Sequence, residues 1–246
     1  MADRAKDALA QDAGPAVPRP HATRSRSTSI TLPPHYPHRA ARLADLVVHI
    51  VGLALALFGG GVALGLAVSH GLIARAAAVG VYALGFVAMF AFSAAYNFAR
   101  PKWQPLLYRL DHAGIFLMIA ASYTPFTTQL LHGAWSWGMT IAVWSLAGLG
   151  ILSKLFLPAV KDAVTTTLYL ALGWIVVLAI KPLVHSAPLA TIILLAAGGA
   201  VYSVGAVLFM RKRLKYRRAI WHGHVLAGAA THYAAVLVGV VLVAAK

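Results

Sequence analysis

Polar and apolar positions in this chain are sorted into blocks rather than interleaved. From residue 43 onward, long apolar stretches alternate with short, mostly basic connections. A helix needs about 20 mainly apolar residues to cross a bilayer. Seven stretches qualify: Ala44–Val68, Leu72–Phe98, Leu110–Leu131, Ala134–Leu157, Ala163–Ile180, Leu189–Met210 and Ile220–Ala245. The pattern predicts an all-α integral membrane protein, a bundle of seven transmembrane helices over residues 43–246. Residues 1–42 show no such periodicity and are rich in Pro, Ser and Arg. They are expected to form a separate, disordered, basic tail. No apolar core follows a short basic start, so a secretory signal is not expected there.

Composition agrees with that reading: 60% of the residues are hydrophobic and only 11% charged, outside the range of ordinary soluble domains. Cysteine is absent, which excludes disulfides and thiolate metal sites. Glutamate is absent too, leaving Asp3, Asp7, Asp12, Asp45, Asp111 and Asp162 as the side-chain carboxylates. A net charge of +15 could suggest nucleic acid, but the charge is sorted by side. The tail and the connections after spans two, four and six hold 18 Lys and Arg, and the opposite side holds 3. That asymmetry places the N-terminus in the cytoplasm and the C-terminus outside. Membrane lipids, not nucleic acid, are the expected partners.

With the topology set, the polar residues inside the spans gather at one depth, the cytoplasmic side. Asp45 and His49 begin span one, Ser93 and Asn97 end span two, Asp111 and His112 begin span three, and Arg218 and His222 begin span seven. Three of these pairs are spaced i, i+4, so both members share a helix face. Ionisable groups inside a membrane are costly and mark functional sites. Asp111, Ser93 and His49 are the candidate catalytic residues, with Asp45, His112 and His232 completing a polar cluster. His232 shares the Arg218/His222 face but lies about 15 Å deeper at 1.5 Å per residue. His224 points the other way and is expected at the interface. An H-x-x-x-H pair on span seven would signal zinc, but here the spacing reads Arg218-x-x-x-His222.

These motifs resemble the hemolysin III branch of the progestin and adipoQ receptor family. The resemblance is carried by ARLADLVVHIVG around His49, by Ser93–Asn97, by RLDHAGIFLMIAASYTPF around Asp111, by LYLALGW and AAGGAVYSVG, and by RAIWHGHVLAGAATHY. It covers the chain from about Arg42 to the C-terminus. It implies a seven-helix bundle with a cytoplasmic N-terminus. It also implies zinc held by a span-two histidine and by two span-seven histidines, with the span-three aspartate beside the metal water. Better-known members resemble hydrolases of ceramide-like lipid amides, and the hemolysin name implies membrane permeabilisation.

Carried onto this chain, the three zinc positions become Asn97, Arg218 and His222, and only His222 is an imidazole. The family's acidic residue in the first motif becomes Arg42, and its asparagine becomes Asp45. Arginine stays protonated and is not a usual ligand. No cofactor is therefore expected unless His49, His112 or His224 completes a zinc site. An Arg218–Asp111 ion pair, with Asn97 and His222 bonded around it, is the expected substitute for the metal. The leading expectation is a non-enzymatic lipid-binding, sensing or permeability role in a bacterial inner membrane. The alternative is a zinc-dependent hydrolase of lipid amides or esters with substitute ligands.

Overall fold

An apolar chain in lipid must satisfy its backbone hydrogen bonds internally, and a helix does so within one segment. The computed structural model describes residues 36–71, 73–157 and 162–243, and their regular structure is entirely helical. Seven helical rods follow one another: α1 (Arg39–Ser69), α2 (Ile73–Phe98), α3 (Gln104–Gln129), α4 (Gly133–Phe156), α5 (Ala163–Ser186), α6 (Leu189–Met210) and α7 (Arg217–Val241). Six of them are long and apolar enough to cross a membrane. Their outward faces carry large apolar side chains more than half exposed, among them Val47, Phe58, Leu84, Ile141, Leu149 and Ile193. An apolar surface of that extent is the surface of a helical membrane protein.

The exception is α3. It is long enough, at 26 residues, but carries Arg109, Asp111, His112 and several hydroxyls. It packs along α2 on one side and α4 on the other. Eleven of its residues are buried, so it has less need of an apolar exterior. Close approach to α2 requires Gly85, where a Cβ would overlap the Cβ of Ala121. Each of α1, α2, α3 and α6 packs on the next rod, and α1 also meets α7. The starts of α1 and α7 and the end of α2 are thereby brought together.

The first helix begins at Arg39, capped by His38 Nδ1, which accepts from Ala41 N–H at 3.1 Å. Helical structure thus starts inside the segment expected to be tail, and residues 1–35 of that tail lie outside the described residues. Lys154, read as a loop charge, belongs instead to the last turn of α4 and is 1% exposed. It sits over the Tyr108 ring.

Three rods depart from α-helical winding, α7 by ending in a π-turn over Leu237–Val241. In α1 a π-turn spans Leu55–Gly59, and Tyr233 donates its hydroxyl to the Gly59 carbonyl at 2.9 Å. In α5 the winding tightens to a 3-10 segment, Ile175–Ala179. Pro182 supplies a physical reason, because its ring has no N–H for the carbonyl of Leu178 and collides with it in a regular helix. Tyr123 of α3 fills the break: its hydroxyl donates to the Gly173 carbonyl at 2.7 Å and accepts from Val176 N–H at 3.0 Å. A Tyr123→Phe variant strips the hydroxyl that serves both the Gly173 carbonyl and the Val176 N–H at the break. It is expected to lose about 1–3 kcal/mol of stability, read as a lower melting temperature in detergent, whereas Tyr36→Phe at the far end of the bundle leaves the α5 break intact.

Candidate functional site

Three helix ends build the polar centre. The i, i+4 spacing on α1 puts Asp45 and His49 on its inner face, both buried, with Asp45 fully enclosed. The same spacing on α2 presents Ser93 and Asn97, and on α7 presents Arg218 and His222. A carboxylate without solvent needs donors on each oxygen. Asp45 Oδ1 accepts from His222 Nδ1 at 2.6 Å, and Asp45 Oδ2 accepts from the Tyr36 hydroxyl. Tyr36 stacks on Phe98, which also meets the edge of the His49 ring. Burial, reinforced by the bond to Asp45, pushes the Tyr36 phenol far above its ordinary pKa.

The acceptors fix which ring nitrogens carry protons. His49 Nδ1 lies 2.8 Å from the Asp45 backbone carbonyl, which only accepts, so Nδ1 donates. By the same reasoning His222 Nδ1 donates to the Asp45 carboxylate. Both Nε2 atoms then face one group, the Ser93 hydroxyl, at 3.0 Å from His49 and 3.3 Å from His222. Asn97 donates to the Ser93 carbonyl at 2.9 Å and approaches Ser93 Oγ at 3.4 Å. Arg218 Nη1 donates to Asn97 Oδ1 at 2.9 Å, and its guanidinium lies over the Tyr96 ring. The network runs without a gap from Tyr36 through Asp45, His222, Ser93 and Asn97 to Arg218.

Asp111 and His112 stand apart from this network. They are half-buried neighbours, with 3.7 Å between His112 Nδ1 and Asp111 Oδ2. They line a cavity of about 560 Å³ whose other wall includes Lys212, Arg217, Arg218 and His222. Arg218 and Asp111, expected to pair, thus share this cavity, and the bond described for Arg218 is the one to Asn97. His232 is elsewhere: its Nε2 faces the Leu195 carbonyl of α6 at 3.3 Å. His224 bonds back to Ile220 O and packs where Gly205 leaves room on α6. Sequence reasoning missed Tyr36, because it falls in a segment whose composition reads as tail.

The positions at which the resemblance implies zinc do not fit zinc. Two of them, Asn97 and Arg218, are hydrogen-bonded to each other, and a guanidinium offers no lone pair. A different grouping does place three donors together. One ligand atom each from Asp45, His49 and His222 lies within 4.8 Å of the others. Two imidazoles and a carboxylate form a set known for zinc. In this arrangement, however, the Asp45 carboxylate is already bonded to His222 Nδ1 and to Tyr36.

Comparison with known proteins gives the chain its relatives. The family model described as haemolysin-III related matches residues 42–233. Hemolysin-3 of Bacillus cereus is 34% identical over 196 residues, covering 79% of this chain and 90% of the relative. A Hemolysin-3 homolog of Bacillus subtilis (strain 168) is 37% identical over 142 residues, 58% of this chain and 67% of its own. More distantly, the human Monocyte to macrophage differentiation factor is 27% identical over 163 residues, 63% of this chain and 67% of its own.

The buried Asp45–His222 contact carries a testable coupling. His222→Ala removes one donor from an enclosed carboxylate and is expected to cost about 3–5 kcal/mol. Combining it with Asp45→Asn should cost clearly less than the two single changes together. Unfolding of the four proteins in detergent measures this, and additivity to within about 0.5 kcal/mol would show that the contact carries no coupling.

Proposed function

Because the chain belongs to the haemolysin-III related family of multi-pass membrane proteins, we propose that it is a lipid-binding protein of a bacterial inner membrane whose family metal centre has been replaced by protein charge. In this reading the chain crosses the bilayer seven times, with α3 as the enclosed seventh span. At about 1.5 Å per residue, α3 exceeds the roughly 30 Å of a hydrocarbon core. The 18-to-3 split of Lys and Arg puts the N-terminus and the polar centre on the cytoplasmic side. Arg218 supplies a fixed positive charge in the cavity that holds Asp111, and, bonded to Asn97, that charge takes over the part of the metal.

The carrying observation is a head-and-tail arrangement of cavities. The polar cavity of about 560 Å³ shares Ile115, Thr166, Tyr169 and Trp221 with an apolar cavity of about 100 Å³. That one shares Ser122, Tyr123, Trp174 and His232 with a second apolar cavity of about 120 Å³, which lies beside the α5 break. A cationic chamber leading into apolar ones suits an amphiphile with an anionic head and one acyl chain. Lys212, Arg217 and Arg218 hold the head, and the chain enters between α3, α5, α6 and α7.

A second reading has its own support in the Asp45, His49 and His222 grouping: a zinc-dependent hydrolase of lipid amides or esters with substitute ligands. One preparation separates the two. Protein purified in detergent without a nickel column is assayed for metal by mass spectrometry and for binding of a fluorescent fatty acid. The lipid-binding reading expects saturable binding, loss of that binding in Gly199→Phe, which fills the space beside Trp174, and less than about 0.1 zinc per chain. Near-stoichiometric zinc that disappears in His49→Ala would instead establish the hydrolase centre, and unsaturable partitioning of the fatty acid would overturn the cavity reading.

A further inference from the structure

Ser93 is held unlike any other hydroxyl described in the molecule. The other serine and threonine hydroxyls with described bonds mostly donate back to a carbonyl of their own helix, as Ser122, Thr128 and Ser203 do. Ser93 Oγ is instead met by two imidazole nitrogens from two other helices, His49 Nε2 at 3.0 Å and His222 Nε2 at 3.3 Å. Both rings have their Nδ1 atoms committed to acceptors. A single hydroxyl proton therefore faces two bases.

We propose that Ser93 is a nucleophile, with His222 as its general base and Asp45 as the group that orients His222, forming a metal-independent acyl-transfer centre. The geometric requirements for such a set are a nucleophile–base contact and a base–orienter contact, each of hydrogen-bond length, the first commonly somewhat long when no substrate is bound. The two distances here are 3.3 Å and 2.6 Å. Asp45 is itself fixed by Tyr36 on its other oxygen, so the carboxylate cannot swing away from His222. His49 is a positioning residue that holds Ser93 from the opposite side. Asn97 Nδ2, 3.4 Å from Ser93 Oγ and anchored by Arg218, is a donor beside the reacting atom, where an oxyanion develops.

The inference rests on the lipid-binding reading for its substrate. His222 forms part of the wall of the polar cavity and Ser93 lies buried directly behind it, so an acyl ester whose anionic head lies against Arg217 and Lys212 reaches Ser93 only by passing its carbonyl beside His222. Ser93 Oγ bonds to the acyl carbon while its proton passes to His222 Nε2. The carbon–oxygen bond to the lipid alcohol breaks, and that alcohol leaves with the proton from His222. Water then attacks the acyl-serine, giving its proton to His222, and Ser93 departs and is reprotonated. The products are a fatty acid and a lipid alcohol, and no oxidant or metal enters the balance.

The test uses the full chain in detergent and a long-chain alkyl fluorophosphonate, which traps an activated serine covalently. Peptide mapping is expected to find the adduct on Ser93, at a rate unchanged by 1,10-phenanthroline. Asp45→Asn and His222→Gln should each slow it at least about 100-fold. Ser93→Ala should form no adduct while still binding the fluorescent fatty acid, which shows that it folds. A chain that binds the fatty acid yet forms no Ser93 adduct overturns the nucleophile and leaves the lipid-binding reading standing. Labelling at Ser93 without saturable fatty-acid binding supports the nucleophile and overturns the cavity reading. Labelling abolished by the chelator, or undiminished in both Asp45→Asn and His222→Gln, overturns the proposed set.

Discussion

A carboxylate with no access to solvent has to be neutralised where it stands, and Asp45 sets that requirement for the end of the bundle where α1 and α7 begin and α2 ends. Its two oxygens draw in His222 from α7 and Tyr36 from the segment before α1. His222 and His49 then share Ser93 of α2, which places three helices in one register. Beyond Ser93, Asn97 and Arg218 extend the same network to the cavity shared with Asp111. Between helices embedded in lipid, close packing and interhelical hydrogen bonds together decide which faces meet, and this network supplies the second.

The second determinant lies at the other end of the molecule. Pro182 denies α5 a regular backbone, and a broken helix persists in a membrane only where other protein groups satisfy it. Tyr123 does so with a single hydroxyl that both donates and accepts. Because the rod is broken rather than straight, space remains between α3, α5, α6 and α7, and His232, which reads in sequence as a continuation of the polar face of α7, lines that space. The polar centre and the apolar cavities are separate constructions joined through Ile115, Thr166, Tyr169 and Trp221.

The residues at the positions where the resemblance implies a metal have a consistent electrostatic sense. A divalent ion needs lone pairs around it; this chain offers a guanidinium and an amide at two of the expected positions, and they bind one another. A carboxylate other than Asp111, that of Asp45, faces His222. Arg218 and Asp45 are joined through Asn97, Ser93 and His222 in one hydrogen-bonded chain, in which each charged group has a bonded partner.

Much of this was legible in the chain itself, for reasons that are local. Length and apolarity dictate helices, and six of the seven expected spans are recovered as apolar rods, while the third appears as α3, long but too polar to count by composition. The i, i+4 pairs Asp45/His49, Ser93/Asn97 and Arg218/His222 share faces because helical periodicity requires it. What the sequence could not decide is which of the residues at one depth touch. Asp111 was the natural centre by its chemistry, yet α3 carries it to the cavity wall, while Asp45 on α1 takes the enclosed position. That choice depends on the rotation of each helix about its axis and on α1 packing against both α2 and α7. These are properties of side-chain packing between segments far apart in sequence, so only the tertiary structure fixes them.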